Sequence, residues 1–194
     1  MSWYEFLLFV HVAAAVIWVG GATVVQLFAL RAMKASDPMR MAEFAGDAEA
    51  IGNRVFVPAA LVALVSGLWM VIDSDFLGFG DDWIVIGLLL FAATFLTGAL
   101  FFGPESGRIR QVLAAEGPTS PEAQRRIQRL LAFSRADLMA LFLLVFDMSV
   151  KPSWGDLSLW VAIAGFAILG GVLVRHGLRA KLAVAGAEPT RATV

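Results

Sequence analysis

Five runs of apolar residues, at 3–30, 55–72, 83–102, 136–150 and 157–174, dominate this chain. A hydrocarbon core about 30 Å thick is crossed by roughly 20 helical residues, and most of these runs approach or exceed that length. The fourth is short, but Ile127, Leu130, Leu131 and Ser134 precede it at helical spacing. Ser120-Pro121 supplies an N-cap and a first-turn proline ahead of them. One long helix is therefore expected from 121 to 150, entering lipid midway. In lipid the backbone must satisfy its own polar groups, which leaves helices as the spanning element for runs of this kind. The expected fold is all-α: a polytopic membrane helix bundle of five transmembrane helices with helical cytoplasmic extensions.

Composition agrees. Apolar residues make up 59% of the 194, above the roughly 45–50% of a soluble domain, and the mean hydropathy is +0.78. The chain has no cysteine, which removes disulfides, thiolate metal sites and cysteine catalysis. The net charge of −1 gives no electrostatic footprint for nucleic acid. Nothing in the first residues reads as a cleavable signal, because Met1 to Phe6 holds no Lys or Arg and includes Glu5.

Charge distribution orients the bundle. Of the 15 Lys and Arg, all but Lys151 fall in the first-to-second connection, the third-to-fourth connection, their flanks, or the tail. The other connections carry Asp73, Asp75, Asp81, Asp82 and Asp156. The positive-inside rule then makes the Arg-rich segments cytoplasmic, with the N-terminus out and the C-terminus in. Trp3, Trp69, Trp83, Trp154 and Trp160 fall at the expected outer edge, as an aromatic belt does; only Trp18 lies deep. Residues 1–182 form one expected transmembrane domain, followed by a disordered cytoplasmic tail at 183–194. The localisation this implies is a bacterial inner membrane, with the lipid bilayer as the first partner.

The cytoplasmic segments also read as helical. Asp37-Pro38 caps a run with Met41, Phe44, Ala45, Ala48 and Ile51 on one side. The stretch 106–116 ends at Gly117-Pro118, a C-cap and a stop. Arg31, Arg54 and Arg108 near the inner helix ends form an expected ring able to pair with Asp47, Asp137 and Glu105.

Few residues offer chemistry. No HExxH, GxSxG or P-loop pattern occurs, and nothing assigns an enzymatic activity. His11 lies about 12 Å along the first span; an intramembrane ionisable residue is a functional candidate, and imidazole is a haem and metal ligand. Its other reading is a neutral side chain hydrogen-bonded to a neighbouring helix. His176, at the far end of the fifth span, cannot share an iron with it. Met70, near the outer end of the second span, is the candidate second axial ligand, or else a packing residue. Asp147 and Lys151 stand at i,i+4 in the orientation that favours a pair. With Trp18 they make a candidate outer-leaflet polar site; an interfacial charge pair ending a helix at Pro152 is the simpler reading.

The segment from His11 to Gly21, ending Trp18-Val-Gly-Gly, resembles the first span of the bacterial domain-of-unknown-function family 2269. The stretch from Asp147 to Pro152 is similar to the end of a later helix in that family. The resemblance extends to about residue 152. It implies distant kinship with CopD copper-resistance proteins and HemJ-type protoporphyrinogen oxidases. By that kinship His11 would ligate the iron of haem b and Met70 would match a second-span methionine. Copper transport is not implied, since further intramembrane His and Met-rich or Cys-containing copper motifs are missing. Three functions stay open: a haem b protein in membrane redox chemistry; a small-solute transporter or permease accessory using His11, Asp147 and Lys151; and a non-catalytic subunit or assembly partner of a larger membrane complex or homo-oligomer.

Overall fold

A computed structural model describes residues 2–35 and 37–185, with side chains through Arg175. The expected tail at 183–194 falls largely outside them, as does the His176 side chain. Among the described residues the chain forms five long helices and no strand. They are α1 (Trp3–Ala35), α2 (Pro38–Asp73), α3 (Asp82–Glu116), α4 (Pro121–Val150) and α5 (Leu157–Ala185). Four of them, α1, α2, α3 and α5 through Arg175, are long and apolar enough to cross a membrane. The apolar half of α4 carries Arg135, Asp137 and Asp147, a charge density that sets it apart from the others.

Helix ends follow the local chemistry. Ser2 and Glu5 close a reciprocal capping box at the start of α1. The Asp37 carboxylate accepts the Met39 N–H at the head of α2. Ser120 accepts the Ala123 N–H at the head of α4. Gly117 ends α3 with a φ of 81°, a conformation a Cβ would oppose. The segments expected as helical extensions are continuous with the spans. At 33 to 36 residues, α1, α2 and α3 each reach roughly 50 Å, well beyond a hydrocarbon core.

Each of these three helices contains one wide, i→i+5 turn: Val16–Gly20 in α1, Gly52–Phe56 in α2 and Gly98–Phe102 in α3. The reason is visible in two of them. Pro58 and Pro104 stand two residues beyond the wide turn; they lack an N–H and would clash with the carbonyl four residues back. Opening that turn relieves the clash without breaking the helix. In α1 the turn runs into Gly20-Gly21 instead. There the Phe56 ring packs so closely on Gly21 that a Cβ would lie 2.6 Å from it, locking the α1 and α2 wide turns together.

Two ends of the bundle differ. At the tryptophan-rich end α1 pairs with α2, while α4 packs between α3 and α5. Midway, Val19 of α1 joins Leu138, Met139 and Leu141 of α4 in a core that also takes in Trp18, Phe166 and Leu173. At the basic end α1, α2, α3 and α4 converge on Ala29, Met41, Ile109, Ile127 and Leu131. The ion pairs of the described residues all lie there. Buried Glu105 receives Arg126 at 2.9 Å and Arg108 at 3.5 Å, and Arg110 reaches Glu49 of α2 at 2.9 Å. Of the expected arginine ring, only Arg108–Glu105 forms; Arg31, Arg54, Asp47 and Asp137 make no ion pair among the described residues. Arg126, one turn into the α4 extension, takes the central place instead.

Candidate functional site

The intramembrane polar groups of the tryptophan-rich half sit on two different helix seams. On the α1–α2 seam, His11 lies half-buried against the small-residue face of α2. Its Nδ1–H donates to the Ala63 carbonyl at 2.7 Å, since a carbonyl can only accept. That carbonyl also accepts from the Ser66 hydroxyl at 3.2 Å. Gly67 makes the approach possible: a Cβ there would lie 3.0 Å from Cε1 and 3.1 Å from Nδ1 of the ring. Small residues in membrane helices commonly serve such close packing. With the proton on Nδ1, Nε2 carries the lone pair, and no described group bonds to it.

Met70 is buried, at 7% exposure. It stands on the same face of α2 as Ala63, one turn beyond Gly67 toward the tryptophan-rich end, about 4.5 Å along the axis. The helix register thus places it about a turn outward of the His11 level. The donor set fits one axial nitrogen, held in tautomer and orientation by a carbonyl, the arrangement usual for a metal-bound imidazole. Among the described residues no hydrogen bond joins the Met70 sulfur to the imidazole.

Asp147, Lys151 and Trp18 come together on another surface, a single face of α3. Positions Trp83, Gly87 and Phe91 are successive turns of that helix, four residues apart. The Lys151 ammonium sits 4.8 Å from the Trp83 ring centroid. The Asp147 carboxylate rests on Gly87, where a Cβ would lie 2.9 Å from Oδ2 and would also meet the Met148 methyl. Trp18 meets Phe91 edge-on, with centroids 5.5 Å apart. Asp147 and Lys151 do not form the expected pair. Lys151 leaves the helix with φ 53°, its N–H capping the Asp147 carbonyl at 2.8 Å, and this left-handed step turns its side chain onto the indole.

Asp147 is fully buried, and neither carboxylate oxygen has a hydrogen-bond partner among the described residues. That state is costly in any apolar surrounding. His11 and Asp147 are not neighbours in these contacts: one faces α2, the other α3. The wide turn in α1 accounts for His11 and Trp18 facing different helices. Positions seven apart on an uninterrupted helix lie within about 20° of one face, so His11 and Trp18 would share a partner. The extra residue in the turn lets His11 face α2 while Trp18 reaches α3.

Sequence reasoning missed the receiving groups. Gly67 and Gly87 were legible only as small residues inside apolar runs, and the Ala63 carbonyl carries no sequence signal. Arg135 is also buried, donating to the Leu173 carbonyl at 3.3 Å and the Met33 sulfur at 3.2 Å.

Comparison with known families agrees with this architecture. Residues 5–152 match a family described as predicted integral membrane proteins, DUF2269. The chain belongs to that family. The matched region runs from the capping box of α1 to the end of α4, so it contains both seams. No curated protein and no solved structure matches the chain.

Proposed function

We propose that this DUF2269 protein binds haem b through Nε2 of His11 and takes part in membrane redox chemistry. The observation that carries the proposal is the 2.7 Å bond from His11 Nδ1–H to Ala63, which orients the ring and leaves Nε2 as a free donor. Met70 is the candidate for the second axial position; a His/Met pair raises a haem potential. Bound haem would supply one-electron transfer, while His11, Ala63 and Gly67 set the position of the donor nitrogen. The proposed setting is a bacterial inner membrane with five spans, N-terminus out and C-terminus in. The span added to the four long apolar helices is α4, whose Arg135 and Asp147 are buried and whose flanks follow the positive-inside pattern.

The test is a visible spectrum of the detergent-purified protein from haem-replete cells, oxidised and reduced. A Soret band that His11→Ala abolishes, with the helix content retained, is the expected result. A colourless, folded wild-type protein overturns the reading, and stoichiometric co-purifying chains would then replace it with a subunit role. A reporter fused after Leu182 should be active only in the cytoplasm; periplasmic activity would refute the orientation.

A second reading rests on Asp147. A buried carboxylate without partners lowers stability, and such residues in membrane helices mark substrate or ion pathways. In that reading the Trp83–Gly87–Phe91 face is the polar contact of a small-solute transporter. Asp147→Asn at normal expression should then abolish uptake of the solute.

A further inference from the structure

At the basic end, an open groove of about 380 Å³ runs between α1 and α2 on the outside of the bundle. On α2 its lining residues Arg40, Phe44, Asp47 and Ile51 recur at one-face helical spacing. On α1, Val25 and Phe28 form the apolar wall and Arg31 stands at its upper edge, its guanidinium 5.6 Å from the Phe28 ring centroid. Val25, Phe28 and Ile51 make its span-side end apolar, and Arg31, Asp47 and Arg40 follow toward the connection, interleaved with Ala32, Ala35 and Phe44. Phe28 and Ile51 are exposed within it. Arg31 and Asp47 make no ion pair among the described residues, although Glu49, on another face of the same helix, pairs with Arg110. Arg40 makes only a solvent-exposed 3.5 Å contact with Asp37, of little energetic weight.

A headgroup with a phosphate and an ammonium matches this edge. Two guanidiniums suit the phosphate, Asp47 suits the ammonium, and the apolar floor suits an acyl chain. A purely anionic headgroup would leave the Asp47 carboxylate facing like charge. We propose that the groove holds one phosphatidylethanolamine-type phospholipid, its phosphate between Arg31 and Arg40 and its ammonium on Asp47. The proposal is independent of any role for His11.

Native mass spectrometry of the full chain in mixed micelles of phosphatidylethanolamine and phosphatidylglycerol tests it. Wild type should retain one phospholipid, with phosphatidylethanolamine favoured about fivefold. Arg31→Gln with Arg40→Gln should reduce retention about tenfold. Asp47→Asn should retain lipid but lose the headgroup preference. Ala48→Leu, which fills the groove and leaves the charges in place, should also lower retention. Arg129→Gln, at the same end but outside the groove, should behave as wild type. Equal retention of the two lipids by wild type, unchanged retention in the double-arginine variant, or displacement by inorganic phosphate alone would overturn the proposal.

Discussion

The two seams of the tryptophan-rich half admit an ionisable side chain by the same device and leave it in opposite states. His11 is received by Gly67 and its Nδ1–H is satisfied by Ala63. Asp147 is received by Gly87 and both its oxygens are left without a partner. A glycine thus provides space on each seam, but only α2 also provides an acceptor. Its Ala63 carbonyl faces the ring, whereas the Asp147 oxygens receive no donor from the helix face opposite. Space and hydrogen-bonding capacity are separate properties of a helix surface.

The strongest challenge to the comparison is Gly67→Val. Its Cβ would meet the imidazole at 3.0–3.1 Å, with the ring pinned by its bond, and overpacking of this kind costs about 2–3 kcal/mol. Denaturant unfolding in mixed micelles should show a loss of that size and of any His11-dependent spectrum. Asp147→Leu should move stability the other way, by about 1–3 kcal/mol, because it removes an unsatisfied buried group at similar volume; a loss would show that the carboxyl has a partner. By contrast His11→Leu should lower stability by about 0.6–1.7 kcal/mol, the range for hydrogen bonds between membrane helices. Opposite signs for the two leucine variants are what the comparison requires.

Smaller effects sharpen its edges. Lys151→Met removes the cation from the Trp83 ring and should cost about 0.5–1 kcal/mol, with a change in tryptophan emission. Were Lys151 paired with Asp147 instead, the loss would be larger and Asp147→Leu would abolish it. The smallest lies at the basic end. Glu122 is held below the usual carboxylate range chiefly by its hydrogen bond from Arg125, with the charges of Arg126 and Arg125 adding to it. A carboxylate depressed on folding contributes stability above its unfolded pKa and loses it as pH falls through the folded value. Acidification from pH 7 should therefore narrow a small difference in melting temperature between wild type and Glu122→Gln, and restoring pH 7 should reopen it.

Much of the bundle was legible because it follows from local rules. Ser120-Pro121 and Asp37-Pro38 mark helix starts through side-chain acceptors that sit next to the donors they satisfy. Gly117 marks an end through backbone freedom. The run from Ile127 to Val150 joins into one helix because its apolar spacing never breaks. The same rules failed where a choice lay between distant partners. Lys151 stands four residues from Asp147, yet a left-handed step and an indole on another helix separated them. Arg108 was an expected partner of Glu105, but Arg126 reaches the same carboxylate at shorter distance because α3 and α4 pack side by side.

By itself, then, the sequence determined that this chain is helical, apolar and charge-segregated, where its long helices begin, and which few ionisable groups enter their apolar lengths. Those properties depend on neighbours within a turn or two. Only the tertiary structure decided that His11 faces a carbonyl, that Asp147 faces none, and that Trp18, Asp147 and Lys151 share one stripe of α3. The physical reason is the set of wide turns and glycine contacts. They rotate helix faces and set approach distances, so a residue's partner depends on how two helices meet and not on its own segment.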